Sequence, residues 1–537
     1  MTSEVSKGGH LLETPAEKRR RIGIQVLMVL AACLGHSVIA IVAAFPNPAI
    51  SDLRKDNSTI FGSAMALTTA EMDMMGSLVC AGTIPGTWLG GWMVGAIGRR
   101  KSLILIVVPF TLAWALVGMA VNPPMMLVGR FISGICYGVT TVAASTYVIE
   151  IPDASFRGAM AALPTLFFGL GLVATVTAGM FLRWYAIALV GYAVMVLCSL
   201  LMFFLPETPA YLAVSGDKKK AGRILEQLRG PDFDVDQELK TLRECNETQA
   251  DETFVRQLLK PEMYRPLIVC IVLFFIQNFS GLTVMYYNTT RIFHAAGSTI
   301  DEDVATIYVF FVKLLGTIIA CLFLDRIGRR VCMILSLLIM GVCLVIMGVY
   351  LNLKEGAISG FEISDALPAA NQTLGENPLE DEVITRSHEY LPLLCLMVYM
   401  FASCIGAHPV PWILSTEYFP TTTRGQASGL CAMACSLFNF AALQLFSPML
   451  DALSQAGLYW AYGAVSFLGV LFCLVCVKET KGKSTSRTTS TATLASGRGH
   501  QLLDYGQPHT QGRCSRNRPP RSFRPWGRRF PRGKPSE

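Results

Sequence analysis

The chain has 537 residues, of which 52% are hydrophobic and only 15% are charged, and its mean hydropathy is +0.46. A soluble protein of this length carries about 25% charged residues, so the composition excludes an ordinary soluble globular protein. The formal net charge of +7 comes from Lys and Arg clustered in alternate connections between apolar runs. That distribution is typical of the cytoplasmic loops of a membrane protein and is not a nucleic-acid-binding signal.

Apolar runs of about 20 residues recur along the chain, and each is long enough to cross a bilayer. The twelve runs lie at about 22–44, 74–95, 102–121, 125–148, 160–181, 184–205, 266–289, 303–324, 331–351, 391–413, 426–447 and 458–477. No small-residue cleavage site follows the first run, so we expect a retained span and not a removed signal peptide. The sequence therefore predicts an all-α polytopic membrane protein with twelve transmembrane helices.

The runs form two groups, which predicts two six-helix bundles at 22–205 and 266–477. A cytoplasmic segment, 1–21, precedes the first bundle, and we expect short amphipathic helices on the cytoplasmic face within 206–265. The last segment, 478–537, is basic and poor in apolar residues, which predicts a disordered cytoplasmic tail. Because basic segments mark the cytoplasmic side and the number of spans is even, both termini are expected in the cytosol.

Two predicted outer loops each carry an Asn-x-Ser/Thr acceptor, at Asn57 and at Asn371. Both loops would face the outside, so we expect glycosylation at both positions. The seven histidines show no metal-ligand spacing, and neither a phosphate loop nor a nucleophile elbow occurs. We therefore expect no metal, no cofactor and no enzymatic activity.

Two charged motifs each occur twice along the chain. The first motif is Glu150 followed by Arg157-Gly158, repeated as Glu417 followed by Arg424-Gly425. The second is Ile97-Gly98-Arg99-Arg100, repeated as Ile327-Gly328-Arg329-Arg330. The repeat indicates an internal duplication and two related bundles that move against each other. Carboxylate and guanidinium groups at helix ends can pair across helices, and a cluster of such pairs between the bundles would hold the cytoplasmic side closed.

Nine motifs in order over residues 22–482 resemble the sugar porter family of the major facilitator superfamily. They are Gly91 to Arg100, Arg130-Phe131-x-x-Gly134, Glu150 to Arg157-Gly158, Pro206-Glu207-Thr208-Pro209, Gln277-x-x-Ser280-Gly281, Asp325-Arg326-x-Gly328-Arg329-Arg330, Pro409-x-Pro411-Trp412, Glu417 to Arg424-Gly425, and Glu479-Thr480-Lys481-Gly482. The chain looks most similar to arthropod facilitated trehalose transporters and, more distantly, to animal glucose transporters. The resemblance implies the major facilitator fold and sugar transport by alternating access.

The resemblance also implies a cytoplasmic gate of charged side chains. The gate residues would be Arg99, Glu150, Arg157, Glu207, Arg329, Glu417, Arg424 and Glu479. The two halves differ at one position, because Asp325 stands four residues before Arg329 whereas Gly95 stands four before Arg99. We therefore expect the gate to be weaker on the side of the first half.

A sugar site in the middle of the membrane is implied by the same resemblance. Its substrate-binding residues would be Thr165, Gln277, Asn278, Thr283, Lys313, Trp412 and Asn439, under a lid of Tyr286 and Tyr287. Polar capacity is kept at these positions, but three side chains are shorter than those of the family. This predicts either a larger cavity or a substrate other than the usual hexose, and a disaccharide would fit a larger cavity.

Lys313 stands out because it lies inside the predicted eighth span, where inserting a central Lys costs about 2.5–3.5 kcal/mol. Binding sugar hydroxyls, attracting an anionic substrate, pairing with an acid and snorkelling to the membrane surface all remain open for it. His408 precedes the Pro409-x-Pro411-Trp412 motif. Narrowing of the cavity, a response to pH and simple helix packing remain open for this histidine.

The favoured interpretation is a monomeric plasma-membrane uniporter of a hexose or a trehalose-like disaccharide. Its partners would be the sugar and the lipid bilayer, with no nucleic acid. In proton-coupled members of the family that the chain resembles, the first span carries a carboxylate near the Arg that begins the fourth. No Asp or Glu occurs here between Arg21 and Asp52, so the resemblance implies facilitated diffusion and not proton symport. Two alternatives stay open: a polyol or organic-anion transporter of the same fold, suggested by Lys313, and a non-transporting sugar receptor or sensor, suggested by the altered sugar contacts and the basic tail.

Overall fold

The computed structural model describes residues 15–153, 156–230, 235, 237, 238, 240, 260–296, 301–365, 390–419 and 424–479. Within these ranges the chain is almost wholly α-helical. Asn371 and the predicted tail after Glu479 lie outside the described residues.

The first half of the chain forms one group of helices, here called the first bundle. Its members are α1 (Pro15–Ala44), α2 (Pro46–Lys55), α3 (Thr69–Ala96), α4 (Arg99–Leu105), α5 (Val107–Gly118), α6 (Pro123–Glu150), α7 (Arg157–Ala178) and α8 (Trp184–Phe204). Two short helices, α9 (Pro209–Val214) and α10 (Lys218–Arg229), follow it.

The second half forms the second bundle. Its members are α11 (Pro261–Phe279), α12 (Leu282–Tyr287), α13 (Thr289–Ala296), α14 (Glu302–Ile327), α15 (Arg329–Asp365), α16 (Leu391–Ile405), α17 (Pro409–Glu417), α18 (Arg424–Gln444) and α19 (Phe446–Cys476). The interior where the bundles meet is apolar and is formed mostly by the second bundle.

Within the described part of the chain, ten helical segments are long and apolar enough to cross a membrane. The remaining two predicted spans, 74–95 and 266–289, fall on α3 and on the broken series α11 to α13. Helix α3 has 28 residues, which is ample length for a bilayer, but its many glycines and Pro85 lower its apolar content. The long apolar runs of the sequence therefore correspond to helices throughout.

The two ends of the bundles are called the terminal side and the far side. The terminal side carries the first residue of α1 and the last residue of α19, and the far side carries the loop between α2 and α3. On the far side, Arg183 binds Asp52 at 3.0 Å and also pairs with Asp56. The hydrogen bond from Arg183 to Asp56 lowers the pKa of the Asp56 carboxyl.

On the terminal side, α10 packs against α1. Its buried residues include Leu225 and Leu228, which lie about one turn apart on a single face, as expected for an amphipathic helix. Asp153 binds Arg21 at 2.9 Å and Arg229 at 2.7 Å, so one carboxylate joins α1 to the end of α10. This helix is therefore fastened to the first bundle.

Glycines allow α3 and α6 to approach each other closely. A Cβ atom on Gly86 would overlap the carbonyl oxygen of Ile135 and lie 2.8 Å from its Cα atom. A Cβ atom on Gly134 would likewise overlap the carbonyl oxygen of Val79. Small residues at such crossings let helix backbones touch within a membrane.

Candidate functional site

A helix break in the second bundle frees polar groups in the middle of the molecule. Helix α11 ends at Phe279, and Gly281 adopts φ +90° before α12 begins. A Cβ atom on Gly281 would lie 2.8 Å from the Tyr462 ring, so both the backbone conformation and the space require glycine. The carbonyl group of Ser280 is left outside the helical ladder and accepts a hydrogen bond from the Tyr399 hydroxyl at 3.0 Å. Broken helices of this kind are where transporters bind their substrates.

Three of the predicted substrate-binding residues meet at this break. The Thr283 hydroxyl lies 2.5 Å from Asn278 Oδ1 and 2.6 Å from Asn439 Oδ1. A hydroxyl group has one hydrogen to donate, so satisfying both contacts requires one amide to present its NH₂ group. The cluster joins α11, α12 and α18 and holds hydrogen-bonding groups of both kinds, as the hydroxyls of a sugar require.

Gln277 adds a further acceptor beside this cluster. Its side chain is 5% exposed, and its Oε1 atom is buried without a partner among the described residues. A buried amide oxygen that has lost water and gained no protein partner is costly, so a ligand donor here would recover that cost. Gln277 is therefore the described amide most in need of a ligand.

Tyr286 and Tyr287, the predicted lid, are both buried where the two bundles meet. The Tyr286 ring stacks on Phe168 of the first bundle with 6.4 Å between centroids and 5° between planes. The Tyr287 hydroxyl lies 3.9 Å from the Cys80 thiol of α3. Both tyrosines therefore touch the first bundle from α12, which is where a lid over the polar cluster must lie.

Lys313 and His408 lie on the other wall of the same region. Lys313 is 4% exposed, and its Nζ atom lies 4.0 Å from the centroid of the Tyr286 ring. Its carbonyl group accepts hydrogen bonds from Thr317 at 3.0 Å and from the Cys404 thiol at 3.4 Å. His408 lies just before α17, and its backbone N–H donates to the carbonyl oxygen of Ser403 at 2.9 Å.

The other two predicted substrate-binding residues, Trp412 and Thr165, are exposed. Trp412 is 40% exposed and packs edge-on against Phe274, with 4.9 Å between ring centroids and 74° between planes. Thr165 is exposed and lies on α7 two turns before the buried Leu172, on the same stripe of the helix. The structure thus brings Asn278, Thr283 and Asn439 together, with Gln277 next to Asn278 along α11, and leaves Thr165 without a contact to them.

The duplicated charged motifs form the same arrangement twice on the terminal side. Glu207 Oε1 accepts hydrogen bonds from the backbone N–H groups of Arg99 and Arg100, both at 3.0 Å. In the second bundle, Glu479 accepts from the backbone N–H groups of Arg329 at 3.0 Å and Arg330 at 3.1 Å. Each carboxylate therefore caps the start of a helix, where the helix dipole favours negative charge. In both halves a glycine precedes the arginines, at φ +99° for Gly98 and +110° for Gly328.

The arginines of these motifs then pair with the predicted gate carboxylates. Arg99 binds Glu150 at 2.7 Å, and Arg329 binds Glu417 at 3.0 Å. Both pairs lie within one bundle, so the predicted pairs between bundles are not found among the described residues. Arg157 and Arg424 begin α7 and α18, and their side chains, like that of Asp325, lie outside those described.

Several polar contacts that do join the bundles were not predicted from the sequence, and they lie towards the far side or at the lid. Arg291 of α13 forms a buried ion pair with Asp73 of α3, with side chains 9% and 3% exposed. Asp303 of α14 binds Ser51 at 3.0 Å and also pairs with Lys55 of α2. The far side is therefore closed in this structure. The signal available in the sequence was the charge of Asp73 and Arg291 at the very ends of predicted spans.

A second set of far-side contacts links the lid itself to the first bundle. Asn47 donates to the carbonyl oxygen of Tyr286 at 3.2 Å and accepts from the backbone N–H of Thr290 at 3.4 Å. Ser77 donates to Gln444 at 3.0 Å, which joins α3 to α18. We call the Asp73–Arg291 pair, the Asp303 contacts and these bonds the far-side latch.

Two bundles of membrane-length helices, with a broken helix and a polar cluster in the second bundle, define a membrane protein of the major facilitator fold. The chain belongs to the "Sugar (and other) transporter" family, whose model matches residues 26–490. It is 31% identical over 466 residues, 86% of its length, to facilitated trehalose transporters Tret1 of Drosophila willistoni and Drosophila virilis. The chain spans about half of those relatives, 50% and 48% of their lengths.

Solved structures show the same fold. The chain is similar to the xylose transporter XylE from E. coli in a partially occluded inward open conformation, with a TM-score of 0.67 and 20% identity. That match covers 86% of this chain and 100% of the other. An inward open conformation of the same transporter matches with a TM-score of 0.66 and 20% identity, covering 88% of this chain and 99% of that one. The predicted major facilitator fold is thereby confirmed.

The pairing of Glu417 with Arg329 gives a testable expectation for the second bundle. Glu417→Gln removes the charge that faces Arg329, and because both residues belong to the second bundle we expect a small loss of stability and no change in how the bundles meet. The two side chains are 31% and 15% exposed, so the loss should be at most about 1 kcal/mol. Thermal unfolding in detergent measures it, with Glu226→Gln, an exposed carboxylate on α10, as the matched control. Spin labels at the exposed positions Lys101 and Val331, one in each bundle, should give equal distances in both variants. A longer distance in Glu417→Gln alone would show that the pair acts on the terminal side.

Proposed function

We propose that the protein carries a sugar across a membrane by facilitative uniport and alternating access, with a hexose or a trehalose-like disaccharide as the substrate class. The observation that carries this proposal is the cluster of Asn278, Thr283 and Asn439 at the break between α11 and α12, with the buried and unpartnered Gln277 next to Asn278 in the chain. Uncharged amides and hydroxyls suit the hydroxyl groups of a sugar, and a tyrosine lid lies one turn further along the same helix. Similar proteins include facilitated trehalose transporters and a xylose transporter, which agrees with this class.

Uniport is favoured over proton coupling by the surroundings of α1. No Asp or Glu occurs in this helix after Arg21. Arg130 of α6 is fully buried and donates from Nε to the carbonyl oxygen of Met75 at 2.9 Å. In the described part of the chain its other two nitrogens meet no carboxylate. His36 of α1 interacts with the Ser145 hydroxyl at 3.1 Å. These contacts provide no carboxylate that would take up and release a proton beside Arg130.

The orientation of the protein in the membrane and the identity of that membrane form part of the same proposal. The basic terminal side faces the cytoplasm, as the positive-inside rule favours, so the closed far side faces outward in a plasma membrane. Asn57, exposed on the far-side loop, is then available for glycosylation. The division into cytoplasmic segment 1–21, two bundles, loop 206–265 and tail 478–537 belongs to this proposal, as does function as a monomer.

Uptake into proteoliposomes tests the proposal. Full-length protein should accumulate labelled glucose, fructose or trehalose to equilibrium and no further, with equal rates with and without a pH gradient. Uptake that depends on the gradient would overturn uniport, and absence of uptake for all three sugars would overturn sugar transport.

A matched pair of variants tests whether uptake depends on the polar cluster. Thr283→Val keeps the side-chain shape but removes the hydroxyl between two amides, and we expect uptake to fall about 10-fold. Thr111→Val removes a hydroxyl that bonds only its own helix, at 2.7 Å from the carbonyl oxygen of Val107, and should leave uptake unchanged. If both variants keep full activity, the substrate binds elsewhere.

A further inference from the structure

Lys313 is a buried amine that the proposed sugar contacts do not account for. It lies near the middle of α14, eleven residues after Glu302 and fourteen before Ile327. Its side chain is 4% exposed, and Nζ lies over the Tyr286 ring at 4.0 Å. Thr283 and Tyr286 are three residues apart on α12, so the residue whose ring the amine faces is about one helical turn from Thr283 of the polar cluster.

The surroundings of Lys313 hold no negative charge to balance it. In the described part of the chain, the groups next to it are Thr317 and Cys404, whose side chains both bond its carbonyl oxygen, and His408. The acid nearest to it along the same helix is Asp303, about 15 Å away at 1.5 Å per residue. Asp303 is already engaged by Ser51 and Lys55 in the far-side latch. Among the described residues, the stabilising contact of the amine is with the face of the Tyr286 ring.

A buried cation without a counter-ion is retained at a cost, which a ligand of opposite charge would offset. Charge attraction is strong in such a water-poor site, so one ammonium group discriminates well between neutral and anionic ligands. The neighbouring amides and hydroxyl of Gln277, Asn439 and Thr283 suit ligand hydroxyls. A ligand that satisfies both parts of the site carries several hydroxyl groups and one carboxylate.

We propose that this site selects carbohydrates that carry one carboxylate, such as uronates, over neutral sugars, and that Lys313 is the counter-ion. The inference rests on the proposed transport function and sharpens its substrate class. In this arrangement the carboxylate lies beside the ammonium group near Tyr286, and the hydroxyls face the break between α11 and α12.

Two pairs of sugars that differ only at C6 provide the test: glucose with glucuronate, and galactose with galacturonate. Uptake of each is measured in proteoliposomes of the full chain at equal concentration and without a membrane potential. We expect the wild-type protein to prefer each uronate by at least about 10-fold, which is 1.4 kcal/mol. Lys313→Gln should lower the uronate-to-neutral ratio by about 10- to 100-fold, or about 1.4–2.8 kcal/mol.

Two further variants separate charge from folding. Lys313→Arg keeps the positive charge and should keep a preference for the uronate. Lys101→Gln removes an exposed positive charge at the start of α4, far from the cluster, and should leave the ratio unchanged. Melting temperatures of all variants, measured in detergent, identify any that fail to fold.

The outcomes distinguish failure of the uronate preference from failure of the proposed sugar transport. Transport of neutral sugars without preference for uronates, or a ratio that Lys313→Gln leaves unchanged, overturns the inference and leaves sugar transport standing. Failure of all four carbohydrates overturns the inference, and failure of fructose and trehalose as well overturns the sugar transport on which it rests. A uronate preference that Lys313→Gln abolishes and Lys313→Arg retains supports the role of Lys313 as counter-ion.

Discussion

Replacing Asp73 with Asn should shift the protein towards a state that is open on the far side. The Asp73–Arg291 pair joins the two bundles and is almost fully buried while that side is closed. Removing one partner leaves Arg291 as an uncompensated buried charge, which costs about 3–5 kcal/mol. Opening would hydrate Arg291, so the closed state loses most of that energy and the open state does not. The ratio of open to closed molecules should rise by about 100-fold or more.

Distances between spin labels on the far side would measure this shift. Phe61 and Ala452 are exposed, one in each bundle, and are suitable positions once the accessible native cysteines have been replaced. Asp56→Asn is the matched control, because Asp56 pairs with Arg183 inside the first bundle and is 50% exposed. A longer distance in Asp73→Asn alone is the expected result. Unchanged distances in a folded Asp73→Asn protein would show that the pair does not hold the far side closed.

A methyl group added at Gly86 should have the largest effect on stability. The new Cβ atom would overlap backbone atoms of Ile135, which cannot rotate away as a side-chain tip can. Helices α3 and α6 would have to separate, and overpacking of this kind costs about 1–3 kcal/mol or more. Gly91 lies on the same helix with nothing within 4 Å of its Cβ position. Gly91→Ala should therefore be neutral or slightly stabilising, by at most about 1 kcal/mol.

Thermal unfolding in detergent, followed by size-exclusion chromatography, compares the two variants directly. Gly86→Ala should melt clearly below the wild-type protein, with loss of the monodisperse peak, whereas Gly91→Ala should match it. Similar melting of both alanine variants would mean that α3 and α6 can separate at little cost. Thr283→Val serves as a second reference, because its effect should fall on uptake and much less on melting.

Much of the fold could be predicted from the sequence, because a membrane-spanning helix needs about 20 apolar residues and leaves a visible run. The breaks within those runs were harder to see. The run predicted at 266–289 divides at Gly281, and the run at 391–413 divides between α16 and α17. Hydropathy averages over a window, so an interruption of two or three residues does not lower it enough to be noticed.

The charged contacts show what a repeated motif can and cannot predict. The spacing of Glu150 matches that of Glu417, and each carboxylate pairs with the first arginine of its own half, because equal spacing on equal helices gives equal geometry. It did not indicate whether the partner lay in the same bundle, since that depends on how the bundles meet. Asp73 and Arg291 were missed because charges at the ends of predicted spans look like solvated loop residues.

The substrate cluster was predicted as a set of residues but not as a geometry. The resemblance to sugar porters named Asn278, Thr283 and Asn439, and the structure joins them through one hydroxyl group. The contact of Lys313 with Tyr286 depends on how α14 is rotated against α12. Rotation of one helix against another follows from side-chain packing, which no single segment of sequence records.

The bond from Asn47 to the carbonyl oxygen of Tyr286 has a thermodynamic consequence. It fastens the helix that carries the lid to the first bundle, so the state of the lid and the state of the far side share one free energy of coupling. By reciprocity, a substrate that binds more tightly under the closed lid must favour closure by the same factor. Exchange of one sugar for another across the membrane should then be faster than net transport whenever return of the empty carrier is the slower step.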